Sequence, residues 1–178
     1  TSASPMLHIK GHTPEGELPS TLDAVTSTIR PNDLLNLWQK FNTGSNKIDL
    51  VAIGSPHASA DECVKFLKLL LEKNQPVVVP TILTVGRETL SKLKDFGSLN
   101  QLSKLGVQII PDICWCSITE PVFPSKTQSL ITNSGKYAHY GEGLTGRNIR
   151  FGSLYDCAIA ALTGFVNNEP PDWLNSST

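Results

Sequence analysis

Residues 48–83 constrain the fold more than any other part of the chain. Ile48-Asp49-Leu50-Val51-Ala52-Ile53-Gly54 is a short, almost unbroken apolar run, the pattern of a strand buried on both faces of a parallel sheet. Ser55-Pro56-His57-Ala58 reads as a turn. Ser59-Ala60-Asp61-Glu62 matches the S-x-x-E capping box, in which a hydroxyl and a carboxylate satisfy the free N–H groups of a helix start. Val64, Phe66, Leu67, Leu69, Leu70 and Leu71 give that helix its apolar face, and a second strand is expected over 76–83. Strand, turn, capped helix and strand form a βαβ unit with a right-handed crossover. A core that begins this way commits the chain to a layered α/β structure.

The remainder extends that plan. A helix is expected to begin near Pro31, whose fixed φ suits a first turn, with Leu34, Leu35, Leu37, Trp38 and Phe41 as its stripe and Gly44 as its stop. Two shorter helices fall at 87–95 and 99–105, a third strand at 107–110 and a Pro-containing loop at 119–127. A fourth strand ends at Ile131, a fifth spans 148–151, and a last helix over 154–162 is capped by Ser153 and closed by Gly164. The expected fold class is α/β, three-layer, with a mostly parallel Rossmann-like sheet flanked by helices. Residues 1–45 form a leading segment, loop and first helix, 46–166 an α/β domain of catalytic type, and 167–178 a loose polar tail.

The 178 residues are 39% hydrophobic and 17% charged, with a formal net charge of −1. This composition suits a folded domain and gives no electrostatic basis for binding nucleic acid or a membrane. No apolar run approaches the roughly 20 residues that span a bilayer, and Thr1-Ser2-Ala3-Ser4-Pro5 lacks the layout of a signal peptide. A cytoplasmic setting is therefore expected, and the missing initiator Met suggests a processed or excised piece. Cys63, Cys114, Cys116 and Cys157 are then expected to be free thiols. A core position is the plain reading for Cys63. Cys114-x-Cys116 sets two thiols on one side of an extended chain but lacks the second pair that structural zinc sites use.

Thr132-Asn133-Ser134-Gly135-Lys136-Tyr137-Ala138-His139-Tyr140 contains hydroxyls, an amide, an amine, an imidazole and phenols, with one aliphatic side chain. It follows a strand end, where open α/β sheets place their ligand sites. Residues 54–57, 112–116 and 150–153 share that address, with Cys157 just inside the last helix. Each segment alone has an ordinary reading as a surface turn, a core thiol or a solvated side chain. Together, Lys136, His139 and Arg150 suit an anionic carboxylate or phosphate, and Cys114 and Cys157 suit a shared metal. Gly141, Gly143 and Gly146 lack the spacing of a phosphate-binding loop.

Ala52-Ile53-Gly54-Ser55-Pro56-His57, Asp112-Ile113-Cys114, the 132–140 segment and Phe151-Gly152-Ser153-Leu154-Tyr155-Asp156-Cys157 resemble, in matching order, the large catalytic part of the aconitase X family. His8-Ile9-Lys10-Gly11-His12-Thr13-Pro14-Glu15 resembles a segment that precedes these motifs. The resemblance covers nearly the whole chain, and the 132–140 block is its most specific part. It implies an aconitase-domain-like fold and an iron-dependent hydro-lyase. Characterised members remove water from cis-3-hydroxy-L-proline or, in archaeal relatives, from mevalonate 5-phosphate, with an iron–sulfur cluster or a mononuclear iron. The family's cysteine ligands map by motif onto Cys114 and Cys157; Cys63 and Cys116 match no ligand motif. The resemblance further implies that this is the C-terminal portion of a large domain. The earlier part, with another cysteine ligand, and a small swivelling domain would be its partners, so the isolated chain is expected to hold little or no iron.

Dehydration needs a base for the proton and a Lewis acid for the departing hydroxyl. Thiolates suit iron, and Cys157 near a helix N-terminus is expected to be favoured as thiolate. His57, Lys136 and His139 are the catalytic candidates, and Ser55, Thr132, Asn133, Ser134 and Arg150 the substrate-binding ones, for a small anionic substrate. No base is assigned. Two other readings use the same strand ends: a non-catalytic anion-binding module, and a thiol redox or metal-handling domain built on Cys114-x-Cys116.

Overall fold

The computed structural model describes residues 7–17, 25–167 and 169–175. The chain divides into two units, residues 1–30 and 31–178. In the first, the carbonyl of Ile9 accepts the N–H groups of His12 and Thr13, and a 3-10 turn follows at Pro14–Glu17. The Glu17 carboxylate accepts the Gly11 N–H at 3.2 Å.

The second unit is built on five strands: β1 Leu50–Ala58, β2 Thr81–Val85, β3 Val107–Pro111, β4 Ser129–Thr132 and β5 Asn148–Phe151. Their order is β3-β2-β1-β4-β5, and every neighbouring pair is parallel. Val51 stands opposite Thr81 on one side and Ile131 on the other. The helices are α1 Pro31–Phe41, α2 Ala60–Leu71, α3 Arg87–Asp95, α4 Ser98–Lys104, α5 Gly135–Thr145, α6 Leu154–Thr163 and α7 Asp172–Asn175.

Alternation along the strands divides the core into two layers. Val51, Ile53, Leu83 and Ile131 pack with Phe66 and Leu70 of α2, Leu93 of α3, Leu102 of α4 and Ala158 and Ala161 of α6. Leu50, Ala52, Ile82, Leu130 and Ile149 pack on the other face with Trp115, Phe123 and Tyr137, and Phe41 of α1 lies against them. The three-layer, parallel, Rossmann-type sheet expected from the sequence is the observed fold. The capping boxes of Ser59 with Glu62 and Ser153 with Asp156 both form.

Several elements differ from expectation. β2 starts at Thr81 rather than Pro76. Pro76 and Pro80 have no N–H to give a ladder, and the N–H groups of Val77 and Val78 go instead to Leu105 and Ala161. Phe165 bridges Lys47 and the Val166 N–H bonds Asn46 at 3.0 Å at the end of the domain, and within the expected 167–178 tail α7 packs on α1 with Leu174 buried. α1 belongs with the sheet unit. The polar 132–140 stretch, given no element from the sequence, is from Gly135 onward the first half of α5. Gly141 lets that helix lie directly on β5; a Cβ there would stand 3.0 Å from Tyr137 Cε2 and against Ile149.

The Ser55–Ala58 turn is also different, for β1 continues through it. Ile53 pairs with Leu83 and Ala58 with Val85, so the strand bulges between them. Gly54 makes this possible with φ +88°, and a Cβ there would come within 2.6 Å of the Ala58 nitrogen. Carbonyls turned out by the bulge find buried donors. The Thr84 hydroxyl faces the Gly54 and Pro56 oxygens, the latter at 3.1 Å, and Trp115 Nε1 donates to Ile53 O at 3.0 Å. Thr84→Val, which leaves those carbonyls short of a donor, is expected to cost about 1–3 kcal/mol of unfolding free energy. Gly54→Ala is expected to cost at least as much; urea denaturation of both variants at wild-type stability would contradict this account of the bulge.

Candidate active site at the strand ends

The chain leaves β1 toward β2 and β3, whereas β4 and β5 lie on its other side. β1 and β4 are therefore the strands between which the order reverses, the position where doubly wound sheets open a ligand crevice. Ser55 lies in the β1 bulge. Ser134, just after β4, caps α5 by accepting the Tyr137 N–H at 3.3 Å and donates its own proton to Ser55 O at 3.0 Å. The ends of β1 and β4 are thus joined directly.

The loop after β3 brings in the thiols. Asp112 takes φ +60°, a left-handed conformation that Asp tolerates. Its carboxylate pairs with the Arg87 guanidinium at the start of α3. Cys114 then sits with its sulfur 3.7 Å from Ser55 Oγ and 3.8 Å from Lys136 Nζ in the first turn of α5. Burial pushes the Cys114 thiol up, but the Cys116 N–H, the Ser55 hydroxyl, the Cys116 thiol and the Lys136 ammonium together bring it below its ordinary value. Burial and the neighbouring Cys114 push the Cys116 thiol up instead. Of the pair, Cys114 is the one favoured as thiolate.

The structure thus brings Ser55, Ser134, Lys136 and Cys114 together, with Asn133 alongside, its amide donating to Glu62 at 3.2 Å. His57 is exposed at the same edge, close enough to the β2–α3 turn that a Cβ on Gly86 would lie 3.8 Å from its Nδ1. Four expected site residues have contacts inside the protein. Arg150 is 1% exposed and donates to the carbonyls of Gly44 and Ser45, at 2.6 and 3.3 Å, so it pins the loop before β1. Thr132 is buried, and its hydroxyl accepts the Ser134 N–H at 3.2 Å to shape the turn into α5. His139 sets its ring edge-on to Phe41 and Tyr140.

Cys157 is the fourth. It is 0% exposed in the core layer of Ile53, Cys63 and Ile131. Cys116, beside Cys114, packs on the opposite layer. Burial, then the Asp156 carboxylate, pushes the Cys157 thiol far up, so a helix N-terminus does not make it a thiolate here. Among the described residues, no group of three or more His, Cys, Asp or Glu side chains is arranged to hold a metal. No helix among them is long and apolar enough to cross a membrane.

Sequence reasoning passed over Thr84 and Trp115, whose polar atoms serve the bulge, and saw Glu62 only as a cap. Nothing in their local sequence marks those partners, which come from 28 to 71 residues away.

Fold and site define a doubly wound Rossmann-type domain with a thiol, ammonium and hydroxyl cluster at its switch point. Residues 48–163 match the family profile described as Aconitase X third domain. The chain belongs to the aconitase X family. It is 36% identical to the cis-3-hydroxy-L-proline dehydratase of Hypocrea jecorina over 98% of its own length and 30% of that protein's. The enzyme of the same name from Pseudomonas aeruginosa is also 36% identical, over 98% of this chain and 31% of the relative. The phosphomevalonate dehydratase large subunit of Thermococcus kodakarensis is 29% identical over 79% of this chain and 36% of that one. The crystal structure of Thermococcus kodakaraensis aconitase X in its holo-form superposes with a TM-score of 0.66 at 27% identity, covering 83% of this chain and 38% of the other. The chain therefore spans about a third of the length of the curated relatives it matches.

The thiol environments make a direct prediction. In the native chain, iodoacetamide should modify Cys114 with a half-maximal rate below pH 9.0, the ordinary thiol value. Lys136→Gln should move that midpoint upward, because the thiolate loses a cationic neighbour. Cys63 and Cys157 should stay unmodified until the chain unfolds. Mass spectrometry of timed samples reads all four thiols, and a Cys157 as reactive as Cys114 would contradict the burial found here.

Proposed function

We propose that this chain forms the third-domain part of an iron-dependent hydro-lyase that removes water from cis-3-hydroxy-L-proline. The observation that carries the reading is the Ser55–Cys114–Lys136 cluster at the switch point of an aconitase X domain. Two relatives at 36% identity bear this activity in their names, against 25–29% for those called phosphomevalonate dehydratase large subunit.

The donor chemistry fits iron at Cys114, a partly exposed thiol whose surroundings favour the thiolate. Burial pushes up the thiol of Cys157, the second ligand that the motif resemblance implies; a cation taking the proton's place would make that buried sulfur a ligand. When bound, iron supplies the Lewis acid that draws electron density from the departing hydroxyl. The remaining ligands, the base that takes the substrate proton and a small swivelling domain belong to the rest of the whole protein. A cytoplasmic setting agrees with four free thiols.

The residues of this chain bind and orient. Lys136, presented by the first turn of α5, pairs with the substrate carboxylate while its contact with Cys114 steadies the thiolate. The Ser55 hydroxyl, free to donate or accept, bridges sulfur and substrate. His57 lies exposed at the strand edge, within reach of a ligand held there. Arg150 and Thr132 act one step removed, by fixing the loop before β1 and the turn into α5. Mevalonate 5-phosphate is the second reading, favoured by the Thermococcus kodakarensis relative at 29% identity; its phosphate would take the place of the carboxylate at Lys136.

The test is a dehydratase assay of the full-length protein with both substrates. Turnover of cis-3-hydroxy-L-proline is expected, and turnover of mevalonate 5-phosphate alone would reverse the order of the two readings. Cys114→Ser and Cys157→Ser should each strip iron, read by metal analysis, and Lys136→Met should raise KM by about tenfold or more. Iron retained in Cys157→Ser would leave Cys157 a core thiol only.

A further inference from the structure

Asn133 stands at the β4 lip of the crevice, partly exposed, and its amide nitrogen donates to Glu62 Oε1 at 3.2 Å. Glu62 is already engaged through its other oxygen, Oε2, which accepts the Ser59 N–H at 3.0 Å and the Ser59 hydroxyl at 3.1 Å. One carboxylate therefore ties the start of α2, which follows β1, to the residue after β4.

A carboxylate only accepts hydrogen bonds, whereas an amide has a donor end and an acceptor end. Glu62 thus decides which way the Asn133 amide lies. The nitrogen must face Glu62, so Oδ1 is turned away from it and has no hydrogen-bond partner among the described residues. We infer that Glu62 is a positioning residue that makes Asn133 a dedicated acceptor, so that Asn133 binds a hydrogen-bond donor of the substrate, its hydroxyl or ammonium, and not its anionic group. The inference rests on the proposed function and refines it. Anion recognition falls to Lys136, donor recognition to Asn133, and a hydroxy acid or amino acid carrying both groups is the class that satisfies the pair.

The test uses the full-length protein and a reversal of the hydrogen bond. Gln also serves a capping box at this position, so Glu62→Gln keeps the cap of α2 but lets the Asn133 amide turn over. Glu62→Gln is expected to raise KM about tenfold with little change in kcat, the size of one charge-assisted hydrogen bond, and to leave Tm near the wild-type value. Asn133→Asp alone, which sets two carboxylates face to face, is expected to raise KM at least as much. In the double variant Glu62→Gln/Asn133→Asp the two groups exchange roles. The amide introduced on α2 can donate to the carboxylate introduced after β4, whose other oxygen is again an acceptor turned to the crevice. The double variant should return KM most of the way to wild type. An unchanged KM in Glu62→Gln, a double variant no better than the singles, or a KM rise that merely follows a large fall in Tm would overturn the inference while wild-type turnover stands. Absence of turnover by the wild-type protein on both substrates would instead sink the proposed function and, with it, this refinement.

Discussion

The hydroxyl of Ser134 donates to the carbonyl of Ser55 at 3.0 Å, and much of the site depends on that bond. It joins the ends of β1 and β4, the strands at which the sheet reverses its order. Parallel pairing between them stops at Ala52 opposite Thr132, so beyond that point no ladder holds the lips together. The same Ser134 hydroxyl caps α5, and α5 carries Lys136 toward Cys114. One side chain thereby sets the width of the crevice and the aim of its cation.

Such a crevice needs irregular backbone, and irregular backbone needs donors for the carbonyls that leave the ladder. The β1 bulge has them in Thr84 and Trp115, both almost fully buried. Trp115 also stands between Cys114 and Cys116 in sequence. The indole that satisfies Ile53 O thus anchors the short 3-10 turn bearing both thiols. Packing and chemistry are not separable here, since the residue that fills the second core layer also holds the sulfur in place.

The parts legible in sequence were those with local causes. Capping boxes at Ser59 and Ser153, the apolar runs of β1 and β4, and the glycine stops at 106 and 164 act within a few residues, and the structure contains each of them. α5 was hidden because its apolar periodicity is weak and its glycines were weighed only against a phosphate-binding loop, although Gly141 is there to let the helix touch β5. Arg150 and Thr132 were legible as polar residues at a strand end but not in their orientation. A two-residue period puts neighbours on opposite faces, and which face meets the crevice is fixed only when the whole sheet is assembled. Cys157 shows the same limit: its helix position was read correctly, while its burial depends on strands far away in sequence.

The charges around the crevice favour one kind of occupant. Glu62 is a carboxylate whose oxygens are both engaged, by Ser59 and by Asn133, so its charge is met by donors of the protein itself. Asp112 is likewise met by Arg87. Lys136 differs, because the partner found for it is the Cys114 sulfur and not a carboxylate. A carboxylate or phosphate brought to that ammonium gains a charge-assisted bond without displacing a carboxylate of the protein. Three residues before Lys136, after the same strand, stands the acceptor oxygen of Asn133. A cation and an acceptor side by side at one strand end are complementary to a ligand that carries both an anionic group and a hydrogen-bond donor.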